Sequence, residues 1–314
     1  MNTIGIDMSK DTFHAAFEEG SVCKFVNTEE GIEEFMTKIE NALPIKSTRI
    51  GVEATGAYHL LFAVTLTEHS WDVVVINPLE SHRMITQGLR TVKTDRLDAE
   101  KIRQMVALGK GYLFTDTKEV LALKALVVER QALVEMRKMT KQRIGVHQLK
   151  KQATGLNLHD SFSSVTQVLT QEIKKIEKAM INYEPETQEL LRSIPGIGQT
   201  TAGTLVAFIG DINRFSSPEK LVAYIGLDSR VFQSGTSVHG KGYISKRGNT
   251  YLRSALFNAA FIARQYNPEL KKYHQKKLSE GKHYFSAMCA VERKLIHLIY
   301  AVWKRGTPFE SRTS

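Results

Sequence analysis

The first eighty residues carry short apolar runs and longer amphipathic stretches in an order that few folds accommodate. Thr3 to Asp7 reads as a buried strand ending on an acid, Thr12 to Phe17 as a second strand and Val22 to Val26 as a third. Turn-like Ser9-Lys10-Asp11 and Glu18-Glu19-Gly20 join them, so an antiparallel meander is expected. Ile32, Phe35, Met36 and Ile39 then recur at helical spacing, which predicts a helix from Glu29 to Asn41 with Pro44 beyond its end. A strand from Arg49 to Glu53, a helix from Tyr58 to His69 and a strand from Val73 to Ile76, stopped by Asn77-Pro78, complete a βαβ unit.

The resulting order, β-β-β-α-β-α-β-α, is the pattern of a ribonuclease-H-like mixed sheet with helices, and by itself it also suits other α/β folds. What sharpens it is where the acids fall. Asp7 and Glu53 each end a predicted strand, and Asp95 and Asp98 lie three apart at the start of a predicted helix, on one face. Four carboxylates converging at a sheet edge repel one another unless divalent cations neutralise them, and hard oxygen donors of this kind select Mg²⁺, with Mn²⁺ as the other candidate. Such metals polarise a phosphodiester and stabilise its leaving oxygen.

The rest of the chain is predicted to be mainly helical, which makes the whole an α/β plus α protein. A long helix is expected from Thr117 to Gln152, with an apolar stripe of Leu121, Leu123, Leu126, Val127, Leu133, Val134 and Met136. A hairpin is expected over Thr154 to Ser164, around the Gly155 break, followed by a second helix to Tyr183. The expected organisation is an acidic domain over 1–112, a helical coiled-coil arm over 113–185 and a compact helical domain over 186–314. Charge divides the same way. Residues 1–100 hold 9 Lys+Arg against 16 Asp+Glu, leaving 34 against 17 for the remainder of the 43 and 33 in the chain. A basic module of that kind attracts a polyanion through counterion release, and nucleic acid is the commonest such partner.

Two motifs in the basic module suit that partner. Ile194-Pro195-Gly196-Ile197-Gly198, followed by Thr200, has the form of a helix-hairpin-helix, in which Gly196 and Gly198 permit a tight turn and a Thr-capped helix presents its N-terminus to a phosphate. The glycine-rich stretch from Gly226 to Arg253 carries Arg230, Lys241, Lys246, Arg247 and Arg253, cations suited to a phosphate backbone. A serine there, Ser234, Ser237 or Ser245, is a candidate nucleophile if guanidinium groups stabilise the phosphorane, although no His or Asp base accompanies it by spacing. Cys23 and Cys289 lie far apart outside any CxxC pair, which argues for buried thiols and against zinc or a disulfide. No run reaches the roughly 18 apolar residues of a membrane span, and a cytoplasmic location, acting at the nucleoid, is expected.

Five ordered blocks together resemble one family: GIDMSKDTF at 5–13, VEATGAYH at 52–59, KTDRLDA at 93–99, IPGIG at 194–198, and QSG with ISKRGNTYLR downstream. They are similar to the insertion sequence 110 family of transposases, bridge-RNA-guided recombinases, over nearly the whole chain. The resemblance implies a RuvC-like domain whose DEDD acid set matches Asp7, Glu53, Asp95 and Asp98. It also implies a serine nucleophile matching Ser234 in Gln233-Ser234-Gly235. Ser229 stands where that family's proline is expected, and Thr236-Ser237-Val238-His239 depart from its usual small residues, which keeps Ser237 as second choice. The implied chemistry is strand exchange through a phosphoserine assisted by Mg²⁺, on DNA chosen by a noncoding RNA, in a homodimer or homotetramer. A metal-dependent nuclease of the Holliday-junction-resolving type, using activated water, is the alternative.

Overall fold

The computed structural model describes residues 1–18, 20–54, 56–78, 80, 81, 95–156, 159–228, 244–246 and 248–310. The chain divides into two compact units, Met1–Lys118 and Glu119–Ser314.

The first unit is built on a six-stranded sheet. Strands β1 (Asn2–Met8), β2 (Thr12–Ala16) and β3 (Val22–Val26) form the expected meander, and β4 (Thr48–Glu53) and β5 (Asp72–Ile76) add on the other side of β1 in parallel. A two-residue strand, β6 (Tyr112–Leu113), pairs antiparallel with β5, so the sheet order is β3-β2-β1-β4-β5-β6. Sequence reading missed β6. Both its residues are exposed and two residues carry no periodicity, so only the pairing defines it.

Side chains alternate across the sheet, and the two faces are covered differently. On one, Phe13 and Phe25 pack with Phe35 of helix α1 (Glu29–Glu40) and Phe62 of helix α2 (His59–Glu68), ring centroids 5.1 to 5.7 Å apart for Phe13 against its three neighbours. Each ring taken from water stabilises the fold by about 2–3 kcal/mol. Helix α1 starts where Thr28 caps it, the hydroxyl accepting from the Gly31 N–H at 3.3 Å. The opposite face carries helix α3 (Asp95–Ala107), whose Ile102, Met105 and Val106 cover Val74 and Ile76. At the middle of that face two glycines, Gly5 and Gly51, sit side by side in register on β1 and β4. Helix α3 runs across them so closely that a Cβ on Gly5 would lie 2.0 Å from the Ala99 carbonyl oxygen.

The second unit is helical among its described residues. Helices α4 (Lys118–Thr154) and α5 (His159–Met180) pair antiparallel: Arg130 binds Glu177 at 2.7 Å, and His147 stacks on Phe162. The expected hairpin over Thr154 to Ser164 is therefore corrected to a shorter connection. Its residues from His159 onward already belong to α5, whose first four N–H groups find no acceptor within the helix. Only the N-terminal part of the predicted stripe is buried, at Leu123 and Val127, and Met136 is exposed. Helices α6 (Pro185–Arg192), α7 (Gln199–Ile209), α8 (Pro218–Ile225), α9 (Thr250–Tyr266), α10 (Pro268–Ser279) and α11 (Tyr284–Arg305) complete the unit. Helix α7 is buried nearly all round, from Ala202 to Ile209, as a helix at the centre of a core must be. Asn267 ends α9 and caps α10, its side chain accepting from the Glu269 and Leu270 N–H groups. No helix of the described residues is long and apolar enough to cross a membrane. Both cysteines are half-buried thiols, less enclosed than expected.

Candidate metal centre and nucleic-acid interface

The acids sit where two rules place them. Strand alternation puts Gly5 and Asp7 on one face of β1, and the parallel register, Gly5 with Gly51 and Ile6 with Val52, puts Glu53 on that same face of β4, one step past the last pair. Helix α3, lying on Gly5 and Gly51, begins with Asp95 and carries Asp98 one turn on. Gly5 thus connects packing to the site. Absence of a side chain there lets the helix approach, and the approach brings the N-terminal acids of α3 to the end of β1.

The structure also supplies a residue that sequence reading missed. His14 of β2 is the register partner of Asp7, and ligand atoms of Asp7, His14 and Asp95 all lie within 4.8 Å of one another. Octahedral coordination at about 2.1 Å leaves ligand atoms roughly 3 Å apart when adjacent and roughly 4.2 Å when opposite, so the three fit around one hard divalent ion. Glu53 Oε2 accepts a hydrogen bond from the buried Ser81 hydroxyl at 2.7 Å, and Asp98 Oδ1 is paired with Lys101 Nζ at 2.9 Å. Asp7 and Asp95 thus share one cluster with His14, whereas Glu53 and Asp98 are engaged by these other partners. The missing signal was legible. The β1–β2 register follows from centring a hairpin on Lys10-Asp11, which pairs position 7 with position 14.

In the helical unit, α6, the turn over 193–198 and α7 make the expected helix-hairpin-helix form, with a correction to its cap. Gly198 holds the N-cap position and no side chain caps the helix; Thr200 falls in the first turn. Gly196, at φ 98°, is needed for packing, because a Cβ would meet Ala263 Cβ at 2.6 Å and the Ala259 carbonyl at 2.7 Å on α9. An open cavity of about 480 Å³ lies at the start of α7, lined by residues 196–201 with Asn258, Ala259 and Ile262. Buried Gln188 braces this corner, donating to the Met180 carbonyl at 2.7 Å and accepting from Gln199 Nε2 at 2.6 Å.

Ser234, Ser237, Arg230, Lys241 and Arg247 lie outside the described residues. What is described is a neck formed by the stretches on either side, 226–228 and 244–246. The Ser245 hydroxyl donates to Asp228 Oδ1, its N–H to the Asp228 carbonyl at 2.9 Å, and the Lys246 N–H to the Gly226 carbonyl at 3.0 Å. Arg253 closes the neck: one guanidinium nitrogen donates to the Ile225 carbonyl at 3.1 Å and to the Gly248 carbonyl. Gly248 has no room for a side chain, with the Tyr224 carbonyl 2.1 Å from a Cβ position. Arg293 of α11 donates to the Leu227 carbonyl at 2.7 Å. Ser245 is buried in this network, and Lys246 is exposed with a left-handed φ of 53°.

Beside Arg293, Glu292 is buried in the core, and burial pushes its carboxyl up to about 7 against the opposing pull of Arg293. The folded protein therefore holds a proton on Glu292 that the unfolded chain releases near the ordinary 4.5, so stability falls as pH rises from about 4.5 to 7 and is flat above. Glu292→Gln keeps the neutral shape and is expected to remove that dependence. Thermal melts at pH 5 and pH 8 should converge in the variant, with a gain at pH 8 on the order of 3 kcal/mol. A pH 8 melt no higher than wild type would refute the assignment.

A mixed sheet of this topology, with acids at the ends of adjacent parallel strands, defines a ribonuclease-H-like domain joined to a helical one. Residues 4–150 match the family model described as a transposase of the DEDD, IS110 kind, and residues 188–275 match the model described as Transposase IS116/IS110/IS902 family. The chain is 34% identical to the pilin gene-inverting protein of Moraxella lacunata and 33% to that of Moraxella bovis, in each case covering 98% of both chains. It is 26% identical to the transposase of insertion sequence element IS1328 from Yersinia enterocolitica, again over 98% of each. The chain belongs to the IS116/IS110/IS902 transposase family. It is accordingly a DNA transposase or recombinase with DNA as its substrate, and the DEDD class of domain implies use of a divalent metal.

Proposed function

We propose that this transposase breaks and rejoins DNA through Ser234, assisted by Mg²⁺ or Mn²⁺ at Asp7, Glu53, Asp95 and Asp98. The observation that carries the metal half is the meeting of Asp7 and Asp95 ligand atoms at the end of β1. In the first step Ser234 Oγ attacks a backbone phosphorus, a P–O bond to one deoxyribose breaks, and the serine proton leaves to solvent or to the departing oxygen. The DNA end is then a phosphoserine ester, and the released hydroxyl belongs to the other end. Attack of a partner strand's hydroxyl on that ester restores a phosphodiester and frees the serine, so bond energy is conserved without a nucleotide cofactor. A divalent ion bound at the acids would neutralise charge on the phosphate's non-bridging oxygens. Gly198, Thr200 and the start of α7 would hold a backbone phosphate, and Arg230, Lys241, Lys246 and Arg247 would line the DNA path. Arg253 supports that path from the neck, given its carbonyl partners.

Selection of the DNA by a noncoding RNA, and assembly as a homodimer or homotetramer, belong to the same reading through the family. Between two oppositely oriented sites on one DNA, the same exchange yields inversion, the outcome named for the Moraxella relatives.

The test uses the full chain, DNA bearing an end of the element, RNA transcribed from its flank, and Mg²⁺. A denaturing gel should show DNA covalently linked to protein, and a chelator should abolish it. Cleaved DNA with free ends and no protein linkage would support the water-using nuclease instead.

A further inference from the structure

We infer that His14 is a nitrogen ligand of the metal centre and turns its preference from Mg²⁺ toward Mn²⁺; this rests on the proposed carboxylate site. His14 and Asp7 are direct register partners on antiparallel β1 and β2, so their side chains leave the sheet together on the face that carries α3. The His14 side chain is only 16% exposed and cannot swing freely to solvent, whereas Asp95 is 73% exposed. His14 Nδ1 lies 3.8 Å from Asp95 Oδ2. That separation is too long for a hydrogen bond and falls between the spacings of roughly 3 and 4.2 Å that adjacent and opposite ligands of one ion adopt. The imidazole thus stands across a gap of ionic size from a carboxylate, beside a second one.

The donor set has a chemical consequence. Carboxylates and water suit Mg²⁺ and Mn²⁺ alike, but Mn²⁺, as a first-row transition ion, takes an imidazole nitrogen more readily than the harder Mg²⁺ does. A mixed set of two carboxylates and one imidazole therefore accepts Mn²⁺ with a bond that Mg²⁺ uses poorly. Neither charge nor strand position sets this bias; the identity of residue 14 does. An aspartate in the same place would present oxygen and return the centre to Mg²⁺.

The experiment measures binding directly on the full chain, with Mn²⁺ as the probe. Electron spin-echo spectroscopy of bound Mn²⁺ should show coupling to ¹⁴N in the wild type and none in His14→Gln. Calorimetric Mn²⁺ affinity should fall about tenfold in His14→Gln, the scale on which ligand-shell changes act, with Mg²⁺ affinity changing less than about threefold. His14→Asp should still bind Mn²⁺, lose the ¹⁴N coupling and let Mg²⁺ compete more effectively, which separates ligand exchange from loss of folding. Absence of ¹⁴N coupling in the wild type, or its persistence in His14→Gln, would overturn the inference. Asp7→Asn distinguishes the two levels. If Asp7→Asn abolishes Mn²⁺ binding and His14→Gln leaves affinity and spectrum unchanged, only the histidine assignment fails. If Asp7→Asn leaves binding intact, or the wild type binds no Mn²⁺, the carboxylate reading fails with it.

Discussion

Replacing Ser234 by alanine is expected to remove the covalent protein–DNA adduct completely and to lower recombination by about 10⁶-fold, the scale on which loss of a serine nucleophile acts elsewhere, equivalent to about 8 kcal/mol of barrier. The size follows from the chemistry. Without Oγ no phosphoserine can form, and an activated water in its place would hydrolyse the strand rather than conserve the bond for rejoining. Binding should change little, because alanine removes one hydroxyl while the cations at Arg230, Lys241 and Lys246 remain. Gel-shift affinity within a few-fold of wild type, combined with no adduct on a denaturing gel, is the expected pair of results. An adduct that survives in Ser234→Ala and vanishes in Ser237→Ala would move the nucleophile three residues along. Ser245 is a different case: its buried hydroxyl is directed at Asp228, and it closes the neck.

The second large effect is expected at Gly5, far smaller in chemistry than in geometry. An added methyl group would lie 2.0 Å from the Ala99 carbonyl oxygen, 2.3 Å from the Arg103 nitrogen and 2.8 Å from its Cα, all backbone atoms of α3. No side chain can turn aside, so the helix itself must lift by roughly 1–1.5 Å to restore contact distance. Gly5→Val is expected to destabilise the first unit by about 3 kcal/mol or more, roughly 10 °C or more in Tm. Asp95 and Asp98 ride on the helix that lifts, and a displacement of about 1 Å at a reacting centre costs about 10²-fold in rate. Gly51→Ala is the internal comparison. Its new Cβ meets the Val106 Cγ2 at 2.3 Å, a side-chain atom, so a smaller loss is expected. A Gly5→Val protein melting within 2 °C of wild type by differential scanning calorimetry would show that α3 does not bear on Gly5 (the threshold being about what ~0.5 kcal/mol moves a domain of this size).

Much of the first unit was legible in the chain. Strands β1 to β5 and helices α1 and α2 lie within a residue or two of their predicted bounds, because each is defined locally by periodicity, by the turns at Ser9-Lys10-Asp11 and Glu18-Glu19-Gly20, or by Asn77-Pro78. The acids were legible as strand-end and helix-start residues. His14 was passed over because a lone histidine in a strand has no signature of its own; it gains meaning only once the β1–β2 hairpin is centred on Lys10-Asp11, which makes it the partner of Asp7. The expected threonine cap on α7 was displaced to Gly198, and Arg253 faces carbonyls at the neck where a sequence pattern shows only one more cation.

The sequence by itself therefore determined the elements of the first unit other than β6, their order, the division of charge and the family, since all of these are written in local spacing and in ordered motifs. The tertiary structure alone decided which side chains share a volume of space. It set Gly5 beside Gly51 beneath α3, brought the ligand atoms of Asp7 and His14 to those of Asp95, and put Ser245 against Asp228. The physical reason is that close approach and coordination depend on distances of a few ångströms between residues far apart in the chain. Those distances come from sheet register and helix packing, which no local propensity encodes.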